Sequence, residues 1–205
     1  MKNLKDIIQE RLHINKDIKS HYYNYHPKTR DELYELVNKL IKERGKEANL
    51  NDIDTSEITD MSALFYYSSF NGDISGWDVS NVESMVRLFE HSEFTGENGD
   101  ISSWDVSNVK DMSYMFMVSK FNGDISKWDV SNVQYMEFMF YSSSFTGENG
   151  DISEWDVSHV KNMYGMFYWS KFNGDISKWD VSNVKDMYGM FDKSPLEKNP
   201  PKWYK

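Results

Sequence analysis

Residues 172–191 read FNGDISKWDVSNVKDMYGMF, and the chain writes the same phrase five times, beginning at Phe70, Phe94, Phe121, Phe145 and Phe172. Its tryptophans fall at Trp77, Trp104, Trp128, Trp155 and Trp179, so the spacing runs 27, 24, 27, 24. The methionines Met61, Met85, Met112, Met136, Met163 and Met187 keep the same beat and add an earlier, partial copy without a tryptophan. A fixed period near 25 residues is the signature of small units stacked in a line, each burying its apolar side chains against its neighbours. Such architecture serves binding more often than chemistry.

Long and short units differ by one insert, Thr95-Gly96-Glu97 in one long unit and Thr146-Gly147-Glu148 in the other. Inserts in a stacked repeat map to loops on one face, because core columns have to stay in register. The alternation marks duplication of a two-unit block. Hydrophobic residues make up only 39% of the 205-residue chain, yet aromatics reach 16%, so the apolar content sits in large rings and methionines.

Charge divides the chain into three parts. Residues 1–48 carry eleven Lys/Arg against eight Asp/Glu, a net of +3; residues 49–192 carry eight against twenty-four, a net of −16; residues 193–205 carry four against one, a net of +3. So acidic a body repels a phosphate backbone, and direct nucleic-acid binding is not expected. With no cysteine, disulfides, thiolate metal sites and catalytic thiols are excluded. No apolar run reaches membrane-spanning length and the N-terminus lacks the apolar core of a secretory signal, so a cytoplasmic protein without membrane attachment is expected, surface-exposed or secreted only if an export signal is missing from this chain; a monomer is expected as well.

Leu4, Ile7, Ile8 and Leu12 have helical spacing, and a short amphipathic helix is predicted over residues 2–18 with a break near Asn15. A second helix begins at Thr29-Arg30-Asp31-Glu32, which has capping-box spacing, carries the stripe Leu33, Leu36, Val37, Leu40, Ile41, and stops at Gly45. It is expected to cap the open end of the stack. Within each unit, Asp-Ile-Ser-x-Trp-Asp-Val reads as a short strand after an Asn-Gly turn. The following segment changes period: Val109, Met112 and Phe116 lie three and four apart, as on a helical turn, with Ser107 at the N-cap. Strand, turn, short helix and loop in about 25 residues predict an α/β repeat resembling the leucine-rich repeat.

The phrase FNGDISKWDVSNVKDMYGMF closely resembles the BspA-like repeats, a Mycoplasma-type domain of unknown function grouped with leucine-rich repeats, over residues 50–192. The resemblance implies a right-handed, leucine-rich-repeat-like solenoid and a role in protein–protein or surface interactions, with no catalytic residues. The expected organisation is a helical N-terminal cap (1–48), a six-turn solenoid (49–192), and a C-terminal strap or tail (193–205) in which Leu196 keeps the phenylalanine column.

Two aspartate columns invite a metal reading: Asp78, Asp105, Asp129, Asp156, Asp180, and Asp73, Asp100, Asp124, Asp151, Asp175. They could ligate Ca²⁺. As structure, each carboxylate would instead accept the backbone amides that follow it in an Asx-turn, which needs no ligand. The five histidines are scattered and form no metal pair or triad, and His159 replaces the asparagine of the other units. No catalytic residue, metal site or cofactor is expected, and the protein is read as a non-enzyme.

The functional signal lies where the repeats disagree. Positions after each methionine and after the phenylalanine four residues on from it vary, and stacking would gather Tyr66, Tyr67, Tyr114, Met117, Phe138, Tyr141, Tyr164, Tyr168, Trp169 and Tyr188 into one ribbon. Aromatics in an exposed patch mark an interface. The function expected is binding of a protein partner, whose identity the ribbon does not specify. The alternative is an acidic inhibitor or nucleic-acid mimic, phage-encoded for example, seated in a basic groove of a host protein.

Overall fold

The computed structural model describes residues 23–204. The helix predicted over residues 2–18 lies outside them. Helix α1 spans Arg30–Arg44, where the second helix was expected. Thr29 Oγ1 accepts the Glu32 amide at 3.2 Å, while Glu32 Oε2 accepts the Lys28 amide at 2.7 Å, one residue before the usual capping-box donor. The helix ends at Gly45, whose φ of +93° suits glycine and whose N–H reaches the Ile41 carbonyl. Leu33, Val37 and Leu40 are fully buried, so α1 joins the same core as the repeats. It is also pinned by charge: Arg44 holds Asp52 through two 2.9 Å bonds, and Arg30 Nε donates to the Ser62 carbonyl at 3.0 Å.

The repeats are not an α/β solenoid of the leucine-rich-repeat kind. Among the described residues α1 is the one α-helix, no strand or sheet forms, and neighbouring units share single parallel bridges such as Ser84 to Asp111. The expected strand is two consecutive tight turns. In the first, the Trp77 amide donates to the Ile74 carbonyl; in the second, Val82 donates to Val79. Asp73 and Asp78 close them as Asx-turns, taking the amides of Ser75 and Ser80 at 3.0 and 3.2 Å. The expected helical turn is a further run of turns: Met115 donates to Met112 and Ser119 to Phe116. Ser107 does not cap a helix but donates from N and Oγ to Asp105. Local side-chain acceptors at every second or third position outcompete both ladder and helix.

Two residues per unit, two and six after the methionine, have left-handed backbone: Tyr114 (φ +61°) and Val118 (φ +53°) in one unit, Phe138 and Ser142 (+53° and +50°) in the next. These break any extended run, at a cost of about 1–2 kcal/mol for each non-glycine residue. Bonds between units offset it. Met112, Tyr114, Phe116 and Val118 donate their amides to the carbonyls of Tyr135, Glu137, Met139 and Tyr141 in the next unit, at 2.8–3.0 Å.

Side chains stack in the same register. Phe65, Phe89, Phe116, Phe140, Phe167 and Phe191 form one column with centroid spacings of 5.4–6.0 Å, and Phe70, Phe94, Phe121, Phe145 and Phe172 a second. The tryptophans carry a polar ladder through this core. Nε1 of Trp77, Trp104, Trp128, Trp155 and Trp179 donates to the carbonyl of Leu50, Ile74, Ile101, Ile125 and Ile152 respectively, at 3.0–3.3 Å. Trp203, 24 residues after Trp179, adds another rung with a 3.0 Å bond to Ile176. It stacks on Trp179 while Tyr204 packs edge-on against Phe191, so the tail lies over the end of the core. Leu196 packs there as well. The inserts have a defined seat: the amides of Thr95 and Thr146 each take the side-chain oxygen of the asparagine in the preceding short unit, Asn71 and Asn122, at 2.9 Å.

Trp128→Phe keeps a ring in the column but removes the indole bond, leaving the Ile101 carbonyl with the Trp104 amide alone, and should cost about 1–2 kcal/mol in a urea titration. The final unit offers a second check. The amides of Gly189, Phe191 and Lys193 occupy the donor positions of the pattern but meet no acceptor among the described residues, unlike those of Gly165, Phe167 and Trp169. Hydrogen exchange should show the first three losing protection well before the second three.

Candidate interaction surface

The variable residues share one face because the units stack in register. The left-handed residues Tyr67, Tyr114, Phe138 and Trp169 stand there beside Tyr66, Tyr141 and Tyr168, which sit in right-handed turns of the same run. The ten residues proposed from sequence fall into two groups. Tyr66 and Tyr67 meet edge to face at 4.7 Å at the N-terminal end, and Tyr67 stacks on His91 at 4.2 Å. A charged pair follows: Arg87 bonds Glu90 at 2.9 Å, and burial pushes the Glu90 carboxyl above its ordinary value while Arg87 and His91 pull it back.

The second group is larger. Tyr114 stacks on Phe138 at 5.4 Å, and Phe138 meets Tyr141 and Tyr164 edge-on at 5.6 and 5.0 Å. Tyr141 stacks on Tyr168 at 5.3 Å, Tyr164 on Tyr188 at 5.9 Å, and Tyr168 touches Trp169 edge-on at 6.1 Å. Tyr188 is 74% exposed and Trp169 55%, whereas Phe138, Tyr141, Tyr164 and Tyr168 are half-buried. Met117 is half-buried and makes none of these ring contacts. Phe138, Tyr141, Tyr164, Tyr168 and Tyr188 enclose a cleft of about 230 Å³ with Gly165 and Gly189 on its floor. Both glycines have positive φ, and a Cβ on Gly165 would fall 2.5 Å from Phe138 Cε1, so the cleft exists only with glycine there.

Reading aromatic residues alone misses the groups at the edges of this cleft. Glu137 shares a column with Tyr164 and Tyr188. Its Oε2 is buried with no hydrogen-bond partner, and burial first, then the charge of Asp111, raises its carboxyl above the ordinary value. Asp192 Oδ2 lies 3.6 Å from the Cβ position of Gly189, and Lys193 Nζ sits 4.4 Å above the Trp169 ring. Both cationic and acidic members were legible only as variable positions.

The aspartate columns lie elsewhere and are occupied as Asx-turns in every full unit, for example Asp105 with Ser107 and Asp156 with Ser158. Among the described residues, no group of three or more His, Asp or Glu is placed to hold a metal ion, and no helix is long and apolar enough to cross a membrane. Beside these turns runs an asparagine ladder: Asn81, Asn108, Asn132 and Asn183 donate Nδ2 to the serine carbonyl of the preceding unit at 2.7–2.8 Å. His159 interrupts it, reaching only its neighbour Ser158, and leaves the Ser131 carbonyl without a side-chain donor.

These features define a turn-built repeat protein with an aromatic surface. The chain belongs to the DUF285 family, described as Mycoplasma protein of unknown function, whose pattern matches residues 32–148 and 120–203. No curated protein and no solved structure matches the chain.

Restoring the ladder is a direct test of what His159 lacks. His159→Asn should raise stability by about 0.5–1 kcal/mol in a denaturant titration, through a bond to the Ser131 carbonyl.

Proposed function

We propose that this protein is a non-enzymatic interaction module that binds a protein partner through the aromatic surface of its repeats. One observation carries the reading. Large rings, among them Tyr67, Trp169 and Tyr188 at 55–74% exposure, are held on one face, although the fold has a continuous ring core in which to bury them. Two of these, Tyr67 and Trp169, also hold a left-handed backbone that costs stability a solvated loop would not spend. Tyrosine and tryptophan in a rigid frame are suited to hot spots. The BspA-like resemblance of the repeat supports the same role. We place the protein in the cytoplasm, as a monomer without cofactor, metal or direct nucleic-acid contact.

The acidity of residues 49–192 supports a second reading, an acidic inhibitor or nucleic-acid mimic in a basic groove. The acids are partly neutralised between units, with Lys110 on Glu83 and Lys178 on Glu154 at 2.7 Å, which weakens that reading. Salt separates the two. A partner captured from source-cell lysate should stay bound at 0.5 M salt and be lost with Tyr168→Ala/Trp169→Ala, because apolar contacts are little screened. Capture that disappears at high salt but survives the double substitution would transfer the assignment to the acidic face.

A further inference from the structure

We infer that the Phe138–Tyr188 cleft receives an arginine side chain from a basic segment of the partner. This rests on the interaction-module reading and narrows it. At about 230 Å³ the cleft is below the roughly 300–1,000 Å³ of small-molecule pockets, and suits one long side chain. Its lining is aromatic and ordered in near-parallel pairs, Tyr141 on Tyr168 at an 8° interplanar angle and Tyr164 on Tyr188 at 21°. Planar guanidinium lies well on such faces and is more weakly hydrated than ammonium.

Charge selects the same ligand. None of the residues lining the cleft is basic; the Asp192 carboxylate stands beside Gly189, and Glu137 directly precedes the lining residue Phe138 in the chain. The buried Oε2 of Glu137 has no donor, and Asp111 and Asp186 add negative potential to it. A guanidinium seated on tyrosine would enter this negative field and make a charge-assisted bond to the Asp192 carboxylate beside Gly189.

The surface already binds cations in this way on both flanks. Upstream, the Arg87 guanidinium lies 4.5 Å above the Tyr114 ring and bonds the Glu90 carboxylate at 2.9 Å. Downstream, the Lys193 ammonium lies over Trp169 at 4.4 Å and Tyr168 at 5.6 Å. Between them, Tyr141, Tyr164 and Tyr188 have no cation over their rings among the described residues.

The test titrates the intact chain with a short Gly-Ser-Arg-Ser-Gly peptide and with its citrulline counterpart, which keeps the shape and removes the charge, following the amide resonances of Gly165 and Gly189. The arginine peptide should shift them saturably, and citrulline should bind about tenfold more weakly. Tyr188→Ala, at a highly exposed position, and Asp192→Asn, which keeps side-chain shape, should each weaken arginine binding about fivefold or more. No saturable shift, or equal binding of citrulline, overturns the arginine inference. If partner capture still depends on Tyr168 and Trp169 in that case, the interaction-module reading survives it. If the arginine peptide saturates the cleft while capture ignores those residues, the module reading fails and the arginine site stands.

Discussion

An indole N–H buried in a ring core has to find an acceptor, and here each finds the carbonyl of the isoleucine-column residue one unit earlier. That single bond sets the axial register of the stack. With Trp Nε1 fixed on the preceding carbonyl, the two phenylalanine columns fall at about the thickness of a ring plus contact, and the methionines fill what remains. Units of 24 and 27 residues make the same bond, across 27 or 30 residues, because the extra three bulge out as a loop between the isoleucine of one unit and the tryptophan of the next. The insert can vary; the rung cannot move.

The same register governs the exterior. Each unit spends two left-handed residues to turn its chain, and both donate amides to the next unit, so a costly conformation is tied to interfacial bonds. The core columns next to them are fixed by packing. On this face, freedom to vary falls on the side chains two and six positions after the methionine and their neighbours. Gly165 and Gly189 show what that freedom permits: losing the side chain in two successive units opens the floor of a cleft that the Tyr and Phe of adjacent columns then wall.

Much of this was legible in the sequence, but unevenly. Period, buried columns, helix α1 and its caps follow from spacing and from capping chemistry, which are local. The Asx-turns were legible too, as the reading that needs no metal. The strand failed because Asp-Ile-Ser and Asp-Val-Ser carry β-rich residues between two side chains that prefer to hold their own backbone; propensity lost to local hydrogen bonding. The helical turn failed because three- and four-residue spacing also arises from consecutive tight turns, and periodicity does not distinguish them. Trp203 was available as a 24-residue step from Trp179, hidden by the prolines before it. The ring ribbon could be proposed, but not its division at Arg87 and Glu90 or the edge carboxylates, which depend on which columns adjoin.

The acidity of the repeat takes on a different meaning once the two aspartate columns are separated from the rest. Those carboxylates stabilise turns: Asp156 and Asp180 are each held below the ordinary value, first by the hydroxyl and then by the amide of the serine two residues on. Stacking like charges at each unit is the cost of using aspartate to close every turn, and the lysines that bridge units moderate it. Negative charge in those columns is thus accounted for by the backbone. Glu137 differs: it is partly buried, bonds its own backbone and the Ser113 side chain, and leaves Oε2 buried without a partner. Other units carry serine, valine or tyrosine at that position, and among the described residues no other acid keeps a buried side-chain oxygen without a partner, which separates Glu137 from the acids that close turns.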